Sequence, residues 1–304
     1  MKTPFSLEND DLYQRWRDNK LENYPSKLAD LVVELKNGKS MSDIEHAAIL
    51  DRCKQTNMAI YVGNTGDDPD REIPHYVGQR FGLSHLNHNW LGDDDGLTSL
   101  TVADDEDEKR QNYIPYSNHP IKWHTDGYYN TADKQIHAVL LHCVKPASEG
   151  GENALLDQEI AYILLRDQNP DYIRLLMQDD VLTIPPRLNK ENEIARKEEA
   201  GPIFSVDPKT GNLHMRYTIR TYNVIWKQDS ETQAALNALT KILGSDSPYI
   251  FRGKLESGMG LICNNVLHDR TGFSDSDEQH RLLYRARYFD RMAGTDIADL
   301  DFYQ

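Results

Sequence analysis

Ile121-Lys122-Trp123-His124-Thr125-Asp126-Gly127 is the stretch on which the reading of this chain turns. Read as a strand over 121–126, it sends His124 and Asp126 to one face, because residues two apart on a strand project together. Trp123 and Thr125 then face the opposite layer. A third ligand must come from another strand, and Asn264-Asn265-Val266-Leu267-His268-Asp269-Arg270 supplies His268. Two imidazoles and one carboxylate on one face of an octahedral metal leave three positions open, an arrangement suited to iron(II). In a chain with 11 histidines, a lone His-x-Asp is a weak signal, and packing or turn roles for His124 and Asp126 stand against it.

Working outward, the C-terminal stretch changes those odds. Read as a strand over 281–289, it places Arg281, Arg285 and Arg287 on one face and Leu282, Tyr284, Ala286 and Tyr288 on the other. The second set looks like packing, so the first would point inward. Inward arginines are costly without anions, and guanidinium forks grip carboxylates with two parallel bonds. A fixed positive site beside a metal is a place for an acidic co-substrate.

Composition limits the alternatives. The chain has 304 residues and a net charge of -15, which argues against nucleic acid as a main partner, since phosphate binding needs clustered Lys and Arg. Its length permits one large domain. Cys53, Cys143 and Cys263 are odd in number and lack metal-ligand spacing, so a reducing cytoplasm is expected. None shows the neighbouring base that a nucleophile needs. No apolar run is long enough for a transmembrane helix, and no signal peptide is expected at the N-terminus.

Along the chain, Ser42-Asp43-Ile44-Glu45 has capping-box spacing and opens a helix to Thr56. A strand over 57–62, a loop over 63–69 and a short helix over 73–81 follow. The acidic runs 92–96 and 104–108 read as solvated loops. A strand over 136–144 leads to a turn at Gly150-Gly151. Leu156, Ile160, Ile163 and Leu164 fall at helical spacing, and Asn169-Pro170 caps a further helix. Residues 189–199 read as a polar loop, and 185–202 as a candidate lid. A strand over 213–222, a helical stripe of Leu236, Leu239 and Leu243 closed by Gly244, and strands over 261–268 and 281–289 complete the pattern. One domain over 1–304 is expected: support over 1–95, and a mainly β core over 97–290 carrying a helical insert at about 155–250.

The segments Trp123-His124-Thr125-Asp126, Gly150-Gly151-Glu152-Asn153, Asn264 to Arg270 and Arg281-Leu282-Leu283-Tyr284-Arg285 together resemble the successive motifs of the taurine dioxygenase (TauD/TfdA-like) family of Fe(II)- and 2-oxoglutarate-dependent oxygenases. The resemblance covers roughly residues 40–290, more loosely before His124. It implies a double-stranded β-helix, or jelly-roll, with flanking helices. It also implies hydroxylation of an unactivated C–H bond in a small molecule, using dioxygen and 2-oxoglutarate and releasing succinate and carbon dioxide. Carried over by residue, it implies His124, Asp126 and His268 as iron ligands, Arg281 at the distal carboxylate of 2-oxoglutarate, and Arg285 toward the substrate. Asn153 stands where the family commonly has threonine, and its amide can still donate a hydrogen bond. The interval from His268 to Arg281 is slightly long, with 274–278 an acidic insertion. Asp126 in place of glycine or alanine favours hydroxylation over halogenation.

Other residues carry weaker signals. Tyr128 and Tyr129 follow Asp126 and stand where they can overhang a metal. Arg216 and Arg220, with His214 and Thr218, share one strand face that either reaches an acidic or zwitterionic substrate or lies exposed. His85 and His88 would share a helix face on the surface, His137 and His142 read as structural, His119 as a loop residue, and Glu152 as a loop orienter. Two further classes stay open: a cupin-like metal enzyme that does not use 2-oxoglutarate, and a non-catalytic sensor on the same scaffold. Substrate identity and self-association into a homo-oligomer are not legible.

Overall fold

The structure is a computed structural model and describes residues 3–88, 92–103, 110–111, 113–188 and 193–300. Two sheets lie face to face. The larger runs Val32–Glu34, Met58–Val62, Met259–Cys263, Ala138–Lys145, Leu282–Tyr288 and Thr98–Leu100, with only its first pair parallel. The smaller runs Phe251–Gly253, Asn153–Leu156, Leu267–Arg270 and Ile121–His124, all antiparallel. This is the expected jelly-roll core.

Strand alternation builds the layers. Between the sheets, Ile60, Leu141, Leu261 and Leu283 of the larger meet Leu155 and Phe251 of the smaller. On the outer face of the larger sheet, Tyr61, Leu140, Tyr284, Ala286 and Tyr288 pack under helices α2 (Asp43–Thr56) and α3 (Glu72–Arg80). On the outer face of the smaller sheet, Trp123, Ala154, Leu156 and Leu267 pack against α1 (Asp10–Leu21), α4 (Gln158–Gln168), α5 (Pro170–Leu176) and α6 (Ser230–Leu243). Each such residue fixes its neighbours: with Trp123 and Leu267 outside, His124 and His268 face inward, and with Tyr284 and Ala286 outside, so do Arg285 and Arg287.

Local signals account for the helices. Ser42 and Glu45 form a reciprocal capping box, and Asn57 ends α2 in the left-handed conformation. Asn169 caps α5 ahead of Pro170. Gly244 follows α6 with φ −93, so that helix ends without the left-handed glycine. Among the described residues no helix is long and apolar enough to cross a membrane.

Several expected elements are redrawn. The strand over 121–126 stops at His124, because Thr125 turns to donate its N–H to the Tyr217 carbonyl and accept the Tyr217 N–H on Oγ1. The strand over 261–268 is two strands, split where Asn265 adopts φ 51. The strand over 213–222 ends at Met215, and Thr218 returns only as an isolated bridge to His124. Residues 84–88 form no helix, so His85 and His88 share no helix face. His85 instead pairs with Asp290 at 2.7 Å. The run 92–96 is no simple solvated loop: Arg71 reaches Asp93 and Asp95 at 3.0 and 2.6 Å, and Arg110 reaches Asp93 at 2.7 Å. The second acidic run, 104–108, lies outside the described residues. The expected polar loop at 189–199 lies partly outside them (189–192), and its described flanks form a hairpin of Arg187–Leu188 with Ile194–Arg196.

Candidate metal centre

His124 and His268 meet because they are directly paired across antiparallel strands. Opposed side chains on one face are close neighbours, and here the ring centroids are 4.3 Å apart. Each Nδ1 lies 2.9 Å from a carbonyl of its own strand, Lys122 for His124 and Val266 for His268. That leaves both Nε2 atoms free to bind a metal. Burial, with His268 alongside, pushes the His124 imidazole down to about 3 against the pull of Asp126, so it is neutral and its lone pair available.

Asp126 arrives from the turn rather than from the strand face. Its backbone is bracketed by Asn265, whose Oδ1 accepts the Asp126 N–H at 2.8 Å and whose Nδ2 donates to the Asp126 carbonyl at 2.9 Å. The same Nδ2 donates to the Ile136 carbonyl at 2.7 Å. Gly127 completes the turn at φ +70, where an added Cβ would stand 2.5 Å from Ile136 Cγ1. Burial pushes the Asp126 carboxyl up. Arg285 and Arg287 outweigh that and hold it below its ordinary value. Arg285 Nη1 donates to Oδ1 at 3.2 Å, while Oδ2 is buried with no hydrogen-bond partner among the described residues.

One ligand atom from each of His124, Asp126 and His268 lies within 4.8 Å of the others, and among the described residues this is the group able to hold a metal ion. Two imidazoles with Nε2 turned to the site, an ionised carboxylate and its second oxygen Oδ2 fit a divalent cation. The donor set is the one that iron(II) takes in facial sites.

Arg281 is almost wholly buried and lines a cleft with Gly151, Asn153, Lys254 and Leu283. Its Nη1 has no hydrogen-bond partner among the described residues. Burial lowers its affinity for its proton, with Cys143 and Asp275 pulling the other way. Arg270 lies across the same Phe273 ring, 4.8 Å from the centroid against 5.0 Å for Arg281. Burial and Arg281 bring Arg270 down to about 9. Two buried guanidiniums on one ring make a strong positive field. Asn153 lines that cleft too, and its Nδ2 donates to the Asp269 carbonyl at 2.8 Å. Gly150 lets this corner close: at φ +67 its Cβ would stand 2.3 Å from the Gly272 carbonyl oxygen.

The remaining candidates separate. Arg285 sits against Asp126, and Arg287 donates to the Tyr129 hydroxyl at 2.8 Å and to Asn87 at 2.7 Å. Arg216 is not available to a substrate. Its Nε, Nη1 and Nη2 donate to the carbonyls of Tyr128, Leu182 and Glu199 at 2.7, 2.9 and 2.9 Å. Tyr128 and Tyr129 pack edge to face, and Arg220 and Arg196 both act electrostatically on Tyr128. His214 and His137 pack together at 5.1 Å, away from the ligand pair. His142 is buried against the Tyr61 hydroxyl. Asn265, Arg270 and Arg196 were given no role by the sequence. Asn265 was legible only as part of a doublet of asparagines, a residue type that tolerates the left-handed turn.

Comparison with known proteins agrees with this geometry. The model of the family described as "Taurine catabolism dioxygenase TauD, TfdA family" matches residues 51–287. Two curated relatives, each named uridine-5'-phosphate dioxygenase, come from Amycolatopsis and Streptomyces species. Both are 29% identical, over 55% and 56% of this chain and 60% and 64% of their own lengths. The match thus spans less than two thirds of either relative. Among solved structures, a taurine dioxygenase from Burkholderia xenovorans superposes with a TM-score of 0.57 at 18% identity, covering 87% of each chain. That likeness speaks for the fold.

Proposed function

The chain belongs to the taurine catabolism dioxygenase TauD, TfdA family, and from that membership we propose that it is an Fe(II)- and 2-oxoglutarate-dependent dioxygenase hydroxylating a C–H bond of a small acidic molecule. The observation that carries the proposal is the pairing of two features across the sheets. His124, Asp126 and His268 converge on one side, and on the other stands Arg281, a buried guanidinium whose Nη1 has no hydrogen-bond partner among the described residues.

His124 and His268 would hold iron(II) through Nε2 and Asp126 through its carboxylate. Bound iron supplies dioxygen activation, coupled to oxidative decarboxylation of 2-oxoglutarate to succinate and carbon dioxide. The chain supplies the rest. The carbonyls of Lys122 and Val266 fix each ring by taking Nδ1–H, a device that holds a metal-binding imidazole in one tautomer. Arg285 keeps Asp126 ionised and turns one oxygen away. Arg281 would take the distal carboxylate of 2-oxoglutarate, with the Arg270 charge behind it and Asn153 at the edge of the cleft. Tyr128 and Tyr129, close after Asp126 in the chain, would narrow the approach, and a narrowed approach limits water at the centre.

An acidic substrate accords with the names of the curated relatives, which act on uridine-5'-phosphate. The Arg281 cleft favours an oxygenase using 2-oxoglutarate over a cupin-like enzyme, which has no need of that charge. We place the activity in one unit spanning the chain, and in the cytoplasm, since all three cysteines are free and buried. The test is Arg281→Ala. Iron should still bind, and KM for 2-oxoglutarate should rise at least about tenfold, consistent with loss of a charge-assisted pair. An unchanged KM would remove the co-substrate assignment.

A further inference from the structure

A cluster of arginines beyond the metal centre has no role in the scheme above. Arg187 and Arg196 stand directly opposite one another in the hairpin of Arg187–Leu188 with Ile194–Arg196. Arg196 Nη2 donates to the Pro185 carbonyl at 2.9 Å, while its Nε is buried with no hydrogen-bond partner among the described residues. Among the described residues, the titratable groups acting on Arg196 are Arg187, Tyr128 and Tyr129, and none is a carboxylate. Arg220 joins Arg196 beside Tyr128 and forms no ion pair among the described residues.

The cluster is placed with respect to the metal. Arg196 lies 6.0 Å from the centroid of the Tyr129 ring. The Tyr129 hydroxyl accepts from Arg287, which stands 4.0 Å from Asp126 Oδ1. Arg220 is two residues beyond Thr218, which bridges to His124 itself. Arg216 ties the three contributing segments together through the carbonyls of Tyr128, Leu182 and Glu199. Arg196 and Arg220 therefore stand on the wall that carries Tyr128 and Tyr129, which the Arg216 clamp holds in place.

We propose that Arg196 and Arg220, set around Tyr128 and Tyr129, form a subsite for a doubly charged oxyanion of the phosphomonoester type on the substrate. The proposal rests on the oxygenase reading above and names the group its substrate carries. One carboxylate balances a single guanidinium. A phosphomonoester brings nearly two charges and three acceptor oxygens at neutral pH, enough for two guanidinium forks.

Inorganic phosphate, titrated calorimetrically into the full-length protein without metal, tests the subsite. Phosphate should bind the parent, and Arg196→Gln and Arg220→Gln should each weaken it by about tenfold or more, the loss expected for one charge-assisted pair. Arg196→Lys should restore part of the loss. Lys241→Gln on the exposed face of α6 should leave the affinity as it is, and so should Arg281→Ala. No binding to the parent overturns the proposal. So does equal binding by the two glutamine variants, or a loss that follows Arg281 instead. Succinate formation by the parent with iron(II) and 2-oxoglutarate scores the oxygenase reading separately, because the phosphate titration uses neither.

Discussion

Asn265→Ala is the substitution that most sharply probes how Asp126 is held. Asn265 is buried, sits at φ 51 and makes three hydrogen bonds, two to the Asp126 backbone and one to the Ile136 carbonyl. Each is worth about 1 kcal/mol net, and alanine adds about 1 kcal/mol for the left-handed backbone. The variant should lose about 4 kcal/mol of stability. Asn265→Gly removes the bonds without the backbone cost and should lose about 3 kcal/mol. Chemical denaturation of the metal-free proteins reads both values. Metal titration should show affinity weakened by about 10- to 100-fold in each, as for loss of other groups that orient ligands. If Asn265→Ala binds metal as the parent does and stays within about 1 kcal/mol of its stability, the turn does not depend on this side chain.

Two further outcomes are expected. Gly127→Ala should destabilise by about 2–4 kcal/mol, since it adds a clash with Ile136 to a positive φ; a thermal shift of under a degree would contradict this. Burial pushes His142 down to about 4, so between that value and the unfolded value near 6.5 the unfolded chain holds more protons. His142 therefore costs stability as pH falls below about 6.5, reaching about 3 kcal/mol near pH 4. Denaturation at several pH values should show a shallower acid loss for His142→Gln, and an unchanged slope would sink the assignment.

The layers of the fold were legible because alternation is a strong signal. Tyr284, Ala286 and Tyr288 could be assigned to packing from the sequence, and their placement under α2 and α3 turns Arg285 and Arg287 inward. Ser42 with Glu45, and Asn169 with Pro170, marked helix starts because the capping groups are adjacent in sequence. What was lost depends on distant partners. The strand at 121–126 ends early through Tyr217, and the break at Asn265 exists to hold Asp126, 139 residues away. For Arg216 the alternation left open a face toward substrate or an exposed one, and its partners are carbonyls on three other segments, which no pattern of side chains reveals. Arg196 lay in a polar stretch whose composition is that of any solvated loop. Only its register opposite Arg187 set it apart.

The central claim is that His124, Asp126 and His268 hold iron(II) beside 2-oxoglutarate. The most direct measurement is the visible absorption of the anaerobic protein titrated with iron(II) and 2-oxoglutarate. The parent should develop the charge-transfer band of the ternary complex at one iron per chain, and His268→Ala and Asp126→Ala should each abolish it. A parent that shows no band, or ligand variants that keep it at full intensity, would contradict the account.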